Sequence, residues 1–214
     1  MDVVAAAGLV FREIRSGARE GVPTKIQIAR RAYATDRADL WDVLTNAERI
    51  PRWFLPVSGD LTLGGRYQLE GNAGGTVEKC DAPESFAVTW EFGGMVSWLT
   101  VRLSEHEVGS LLELEHEAVV PEELWEQFGP GATGLGWDGA LYGLGLFLES
   151  DNPLDPAEGA LWGTTPEGRQ FMTVCAEGWA VAAIAAGDDP ERARASAATV
   201  LAMYATAPGD ESGS

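Results

Sequence analysis

Basic residues are scarce in this 214-residue chain, which carries 15 lysines and arginines against 33 aspartates and glutamates, for a formal net charge of −18. Nucleic-acid binding needs a clustered basic face that contacts phosphates, so we expect no nucleic-acid partner. The same charge disfavours binding to anionic membrane surfaces. The remaining composition, 45% hydrophobic and 22% charged, is typical of a globular domain with additional segments.

Long apolar runs are also missing. The N-terminal apolar run follows Asp2, whereas the apolar run of a secretory signal follows basic residues. It ends at Arg12, far short of the roughly 20 residues that span a bilayer. We therefore predict a cytoplasmic protein without membrane contact.

The side chains that carry most metal and nucleophilic chemistry are few. The chain has two histidines and two cysteines, and Cys80 and Cys175 lie too far apart for a CxxC redox or zinc motif. We predict that both are free thiols. No GxSxG nucleophile elbow is present, and Gly71–Gly75 lacks the Gly-Lys-Ser/Thr ending of a phosphate loop. We expect no metal site, no cofactor and no assigned catalytic residue.

What the sequence does contain is a series of short alternating segments separated by Gly, Pro and Asp turns. Such segments predict an antiparallel meander in which one face is covered and the other is wet. Its strand candidates are Arg66–Glu70, Gly75–Cys80, Ser85–Phe92, Met95–Ser104 and Ser110–Val119. The acidic row Glu113, Glu115 and Glu117 falls on the wet face, and we interpret it as solvated rather than as a cation site.

The elements around the meander complete an α+β domain over residues 22–150. Lys25–Tyr33 is predicted to form its first strand, and Asp36 caps the following helix. After the meander, a long helix over Thr133–Glu149 has an apolar side available to the sheet. We expect this order to wrap a sheet around the helix and to leave an apolar cavity between them.

The two ends are predicted to lie outside that domain. Residues 1–21 are interpreted as an extension, with a helix over Val3–Ile14. Residues 151–214 are interpreted as a linker, a helical hairpin and a disordered tail. The hairpin helices are placed at Pro166–Ala186 and from Asp189 onward, where proline follows a capping residue.

Large aromatic side chains dominate the candidate cavity lining. For each of them alone, ordinary core packing is the favoured interpretation, but together they favour a cavity. The candidate ligand-binding residues are Trp53, Phe54, Tyr67, Trp90, Phe92, His116, Trp137 and Leu141. His116 alternates with Leu112 and Leu114, so its ring should point inward, near Trp137. Three roles stay open for it: a buried polar anchor, a ligand contact, or an acid or base.

Several motifs, in order, resemble the family of activators of heat-shock-protein-90 ATPase, within the START-like (SRPBCC) superfamily. The resemblance covers about Thr24 to Glu149. It is carried by the segments LWDVLT with RWF, LGGRY, GGTV, the VTW strand, LELEH and the GW pair that opens the long helix, at residues 40–45 with 52–54, 63–67, 74–77, 88–90, 112–116 and 136–137.

The resemblance implies a helix-grip fold with a cavity between the sheet and the long helix. Relatives in the superfamily bind lipids, sterols, flavonoids or polyketides, and a minority catalyse cyclisation or hydrolysis. We therefore expect binding of a small hydrophobic or aromatic molecule. Two alternatives are a cyclase- or hydrolase-like enzyme that uses His116 as acid or base, and a protein-interaction module, including a homodimer. Nothing like the co-chaperone's additional N-terminal domain precedes Thr24, so a chaperone partner is not expected.

Overall fold

The structure, a computed structural model, describes residues 2–150, 159 and 161–205. Its helices are α1 (Val3–Gly8), α2 (Arg37–Thr45), α3 (Glu122–Phe128), α4 (Gly131–Ser150), α5 (Pro166–Ala185) and α6 (Pro190–Ala205), with a 3₁₀ turn at Ile50–Arg52. Its strands are β1 (Phe11–Arg19), β2 (Val22–Tyr33), β3 (Val57–Gly59), β4 (Arg66–Leu69), β5 (Gly74–Asp81), β6 (Ser85–Phe92), β7 (Met95–His106) and β8 (Gly109–Ala118). None of the described helices is long and apolar enough to cross a bilayer.

The strands form one antiparallel sheet in the order β1-β2-β8-β7-β6-β5-β4-β3. The meander from β4 to β8 lies where the alternation predicts it: β6 has the predicted bounds, and the other four strands differ by at most two residues at either end. Pairing of β2 with β8 joins the N-terminal hairpin to this meander. The predicted α+β class is confirmed.

The first 21 residues differ from the prediction. The helix that we expected over Val3–Ile14 ends at Gly8, and the following residues form β1, an edge strand paired with β2 over its whole length. The hairpin turns at Glu20-Gly21, whose φ angles are 50° and 82°. Positive φ at both central residues is typical of the two-residue turns that join twisted antiparallel strands. These residues are therefore part of the sheet rather than an extension.

Helix α4 covers one face of the sheet, which we call the inner face, and the main core lies between them. The alternating apolar residues of β7 and β8 point inward, and Leu99, Val101 and Leu103 are each about 95% buried. From α4, Trp137 and Leu144 pack against them. The inward-facing residues of the strands, which alternate with period two, thus pack against the apolar side of α4 in one layer.

Close packing explains some of the glycines of α4. A Cβ at Gly134 would overlap the Trp179 indole, and a Cβ at Gly145 would overlap the Arg31 guanidinium. Gly136 and Gly139 have no neighbour within 4 Å of such a Cβ. Of these four glycines, two allow α4 to approach its neighbours and two do not have a packing role.

The acidic row on the outer face is ion-paired rather than simply solvated. Arg30 Nε lies 2.5 Å from Glu113, Arg102 Nη1 lies 3.0 Å from Glu113, and Arg19 Nε lies 2.7 Å from Glu117. Burial acts to raise the pKa of Glu113, but the hydrogen bonds and charges of Arg30 and Arg102 outweigh it and hold that pKa below its usual range. Arg102 also lies 3.1 Å from Glu115, so each acid of the row has an arginine from β1, β2 or β7 beside it.

The two C-terminal helices form where proline and capping residues predict them, but they are not peripheral to the main body. Helix α5 packs against α1, β1 and α4, and its Phe171 and Trp179 are almost fully buried. Among the described residues of α5, Val181 is the one large exposed apolar side chain. The predicted linker, at 151–156, lies outside the described residues.

A buried ion pair ties α4 to the N-terminal hairpin and to α5. Asp138 on α4 is fully buried, and Arg12 of β1 donates to both of its carboxylate oxygens, at 2.8–3.1 Å. Trp179 Nε1 of α5 donates to Asp138 Oδ2 at 2.8 Å. Arg12 also donates to Ala7 O and Val10 O. One carboxylate thus holds three elements together.

Candidate functional site

An apolar cavity of about 150 Å³ lies between the inner face of the sheet and α4. Its walls come from strands β4 to β8, from α4, and from the segment that runs from the end of α2 through β3 to Leu61. The side chains that line it are Leu44, Thr45, Ile50, Trp53, Phe54, Val57, Leu61, Tyr67, Leu69, Val77, Phe86, Val88, Trp90, Leu99, Val101, Leu112, Leu114, Trp137, Ala140, Leu141 and Leu144. We call this the main cavity.

Most side-chain donors around the main cavity are already bonded within the protein, as is Trp137, described below. The Tyr67 hydroxyl donates to Thr89 O at 2.8 Å, and Trp53 Nε1 donates to Val43 O at 3.1 Å. The hydroxyl of Thr45, the one other hydroxyl in the lining, donates to Trp41 O at 2.8 Å. Trp90 Nε1 is the one side-chain donor of this lining that makes no hydrogen bond to the described residues. A buried polar ligand group away from Trp90 would lack a free donor, and leaving such a group unpaired costs about 1–3 kcal/mol.

The main cavity is bounded at one end by two indoles. The rings of Trp90 on β6 and Trp137 on α4 lie 5.0 Å apart, and the His116 ring lies 5.6 Å from that of Trp137 in an edge-on arrangement. Such tilted aromatic contacts add to the energy of apolar burial. We call Trp90, Trp137 and His116 the partition.

His116 is held by hydrogen bonds at both ring nitrogens. Trp137 Nε1 donates to His116 Nδ1 at 3.0 Å, and His116 Nε2 lies 2.8 Å from Ser97 Oγ. Ser97 Oγ has a single hydrogen and donates it to Trp90 O at 3.1 Å. We therefore assign the neutral tautomer with hydrogen on Nε2, which donates to Ser97.

This arrangement matches the buried-anchor role among the three that the sequence left open. Burial lowers the pKa of His116 to about 4, so the ring is neutral at pH 7. Protonation would set an Nδ1–H against the indole N–H of Trp137. Neither nitrogen is left over for proton transfer to a ligand.

A second cavity, of about 300 Å³, lies on the other side of the partition. It is enclosed by the ends of β2, β6, β7 and β8, by α3 and by the start of α4. Trp90 lines both cavities, whereas His116 and Ser97 line only the second. The partition thus separates two spaces on the same face of the sheet.

The structure brings six of the eight predicted site residues to the main cavity: Trp53, Phe54, Tyr67, Trp90, Trp137 and Leu141. The other two lie elsewhere. His116 faces the second cavity, and Phe92, near the end of β6, is 55% exposed at the rim of that cavity. Phe92 has the same alternation as Trp90, but the covering layer does not extend to it.

Sequence reasoning missed the second cavity and several lining residues. Lys25 and Ser97 face it because β2 and β7 pair with β8 in a particular register, which alternation alone does not fix. The short strand with Val57 was not predicted. A turn signal at Pro56 and Gly59 bounds that strand and is the one indication that the sequence offers.

No group of acids, histidines and cysteines among the described residues could hold a metal ion. The described cysteines make no disulfide: Cys80 is exposed and Cys175 is buried. Burial raises the pKa of the Cys175 thiol, which makes it a poor nucleophile.

An antiparallel sheet that holds a long helix across an apolar cavity defines a START-like helix-grip protein. The family described as "Activator of Hsp90 ATPase homolog 1-like protein" matches residues 34–149. The chain belongs to this family, as its motifs predicted. The match begins at the end of β2 and ends with α4, so it covers the meander and the main cavity.

Solved structures give the same fold. CalU16 from Micromonospora echinospora is 30% identical, with a TM-score of 0.66 over 81% of this chain and 97% of that one. EF2215 from Enterococcus faecalis, a conserved protein of unknown function, is 14% identical, with a TM-score of 0.59 over 87% of this chain and 96% of that one. MLL2253 from Mesorhizobium loti is 18% identical, with a TM-score of 0.52 over 58% and 96%. The comparison with curated proteins found no match.

Proposed function

We propose that this protein binds one small hydrophobic molecule in the main cavity. The observation that carries the proposal is a cavity of about 150 Å³ with apolar walls, in which both hydroxyls and two of the three indoles donate to protein acceptors. A dry apolar cavity of comparable size, about 150 Å³, holds a single benzene ring in another protein. The expected ligand is therefore an unsubstituted or alkyl-substituted ring, or a branched chain of similar bulk.

The partly exposed lining residues indicate where the ligand enters. Trp53, Phe54 and Leu61 line the cavity and also contact solvent, and the rings of Trp53 and Phe54 stack at 5.3 Å. These residues belong to the irregular segment between α2 and β4. Loops that border a rigid scaffold are the usual place for ligand entry.

The test is thermal unfolding with toluene and with phenol. Toluene should raise the melting temperature, because a ligand that binds only the folded state adds about 2.7 kcal/mol of stability at 100 times its dissociation constant. Phenol should bind more weakly, since its hydroxyl would give up hydrogen bonds to water for contact with apolar walls.

A variant that fills the cavity makes the test specific. Ala140→Leu on α4 places extra side chain in the main cavity and should abolish the response to toluene. Ala198→Leu, an exposed site on α6, is the matched control and should leave the response unchanged. A toluene response that survives in Ala140→Leu would refute the proposal.

A further inference from the structure

The floor of the second cavity is one row of residues across four strands. Lys25 on β2 lies opposite Ala118 on β8, Ala118 lies opposite Ser97 on β7, and Ser97 lies opposite Trp90 on β6. The inner face therefore carries an ammonium group at one end of the row and the partition at the other. All four residues line the cavity.

Lys25 is a cation without an acidic partner. Its Nζ lies 4.6 Å from the centre of the Trp125 ring, and no carboxylate forms an ion pair with it among the described residues. The indole beneath it is fixed, since Trp125 Nε1 donates to Asp188 at 2.7 Å. In a chain with a net charge of −18, a cavity lining that includes a lysine and no aspartate or glutamate is unusual.

Most other polar groups of this lining are engaged. Gln27 Nε2 donates to Pro130 O at 2.6 Å, and Gln27 Oε1 accepts from the Thr133 hydroxyl. Ser97 and His116 donate as described above. The N–H donors that remain for a ligand are the Lys25 ammonium and the neutral indole N–H of Trp90. The charged donor, Lys25, favours an anionic acceptor.

The rim of the second cavity is an exposed apolar patch. Five large side chains there are 43–65% exposed: Phe92, Met95, Val96, Val119 and Leu124. Contiguous exposed apolar surface around a concave site is typical of a binding site. An occupant that covers this rim has an apolar body as well as an anionic group.

We propose that the second cavity binds an amphipathic monocarboxylic acid, with its carboxylate at Lys25 and its apolar body against Trp125 and the exposed rim. One lysine balances one negative charge. A phosphate dianion would leave a charge uncompensated beside apolar walls, which is strongly unfavourable. This site is separate from the main cavity, and the two proposals can fail independently.

The experiment is calorimetric titration with octanoate and with 1-octanol at fixed ionic strength. The wild-type protein should bind octanoate. Lys25→Met should weaken octanoate binding by roughly tenfold or more, as expected for loss of a charge-assisted hydrogen bond, and should change 1-octanol binding by less than about threefold. Lys25→Arg keeps the charge and should retain octanoate binding.

The chain's other lysine provides the matched control. Lys79 is exposed on β5, outside both cavities, so Lys79→Met removes the same charge and should leave octanoate binding unchanged. Ala118→Phe should block octanoate while leaving the response to toluene intact. The proposal is overturned if wild-type protein does not bind octanoate, if the two Lys→Met variants have equal effects, or if octanoate binding is lost in Ala140→Leu and kept in Ala118→Phe.

Discussion

The free energy of unfolding of this protein should depend strongly on Asp138. In Asp138→Asn the shape is kept, but the carboxylate charge is lost while the Arg12 guanidinium stays about 93% buried. Removing one member of a buried ion pair typically costs about 3–5 kcal/mol, because the remaining charge is left uncompensated. For Asn we expect about 3 kcal/mol, since one amide oxygen can still accept from Arg12 or from Trp179.

The assay is urea unfolding followed by circular dichroism, with thermal unfolding in parallel. In a chain of this size, each kcal/mol shifts the melting temperature by about 2–4 °C, so a fall of roughly 6–12 °C is expected. Asp138→Leu combined with Arg12→Met removes both charges and should recover much of the loss, because apolar replacement of a buried pair is often neutral or stabilising.

A surface pair supplies the control for this prediction. Arg192 and Glu126 lie 2.8 Å apart with both side chains almost half exposed, so Arg192→Ala should cost less than about 1 kcal/mol. If Asp138→Asn also cost less than about 1 kcal/mol, the network would not hold α4 to β1 and α5, and the C-terminal helices would be peripheral after all.

Two further predictions concern the partition and α4. Because the His116 pKa is about 4 when folded and about 6.5 when unfolded, the stability from this group is present above pH 6.5 and is lost as the pH falls toward 4. Wild type should therefore lose about 2 kcal/mol more than His116→Gln between pH 7 and pH 5, measured by urea unfolding; equal losses would contradict the buried neutral ring. On α4, Gly139→Ala should stabilise the protein by about 0.5–1 kcal/mol, whereas Gly134→Ala should destabilise it because its Cβ would overlap Trp179. Urea unfolding checks both variants. A stabilising Gly134→Ala would show that Trp179 can move.

Local patterns predicted the elements that they can encode. The alternation in β6 to β8 predicted the meander, and a capping residue at the helix start predicted α2 and α6. By contrast, β1 was missed because it follows an alanine-rich helical stretch and Gly8 is the one helix-breaking residue before it, with no proline between them. The pairing that makes it a strand is supplied by β2, through a turn at Glu20-Gly21 that the interpretation had overlooked.

Tertiary partners explain the remaining gaps in the predicted site. His116 and Trp137 were expected to meet because both were assigned to one covered face, and they do. Asp138 was not singled out, since its partner Arg12 lies 126 residues away in sequence. Lys25 was assigned to a strand, but its place beside the second cavity follows from the register of β2 on β8. Charge and register across long separations leave no local signature.

The partition determines how the two cavities relate to each other. A ligand that reaches from the main cavity into the second cavity must displace one of the two indoles. Moving Trp137 would break its bond to His116 and leave a buried acceptor unpaired, which costs about 1–3 kcal/mol. The indole nitrogen of Trp90 makes no hydrogen bond to the described residues, and this side chain is only partly buried. Trp90 should therefore move more easily than Trp137, and its movement would connect the main cavity with the proposed carboxylate site.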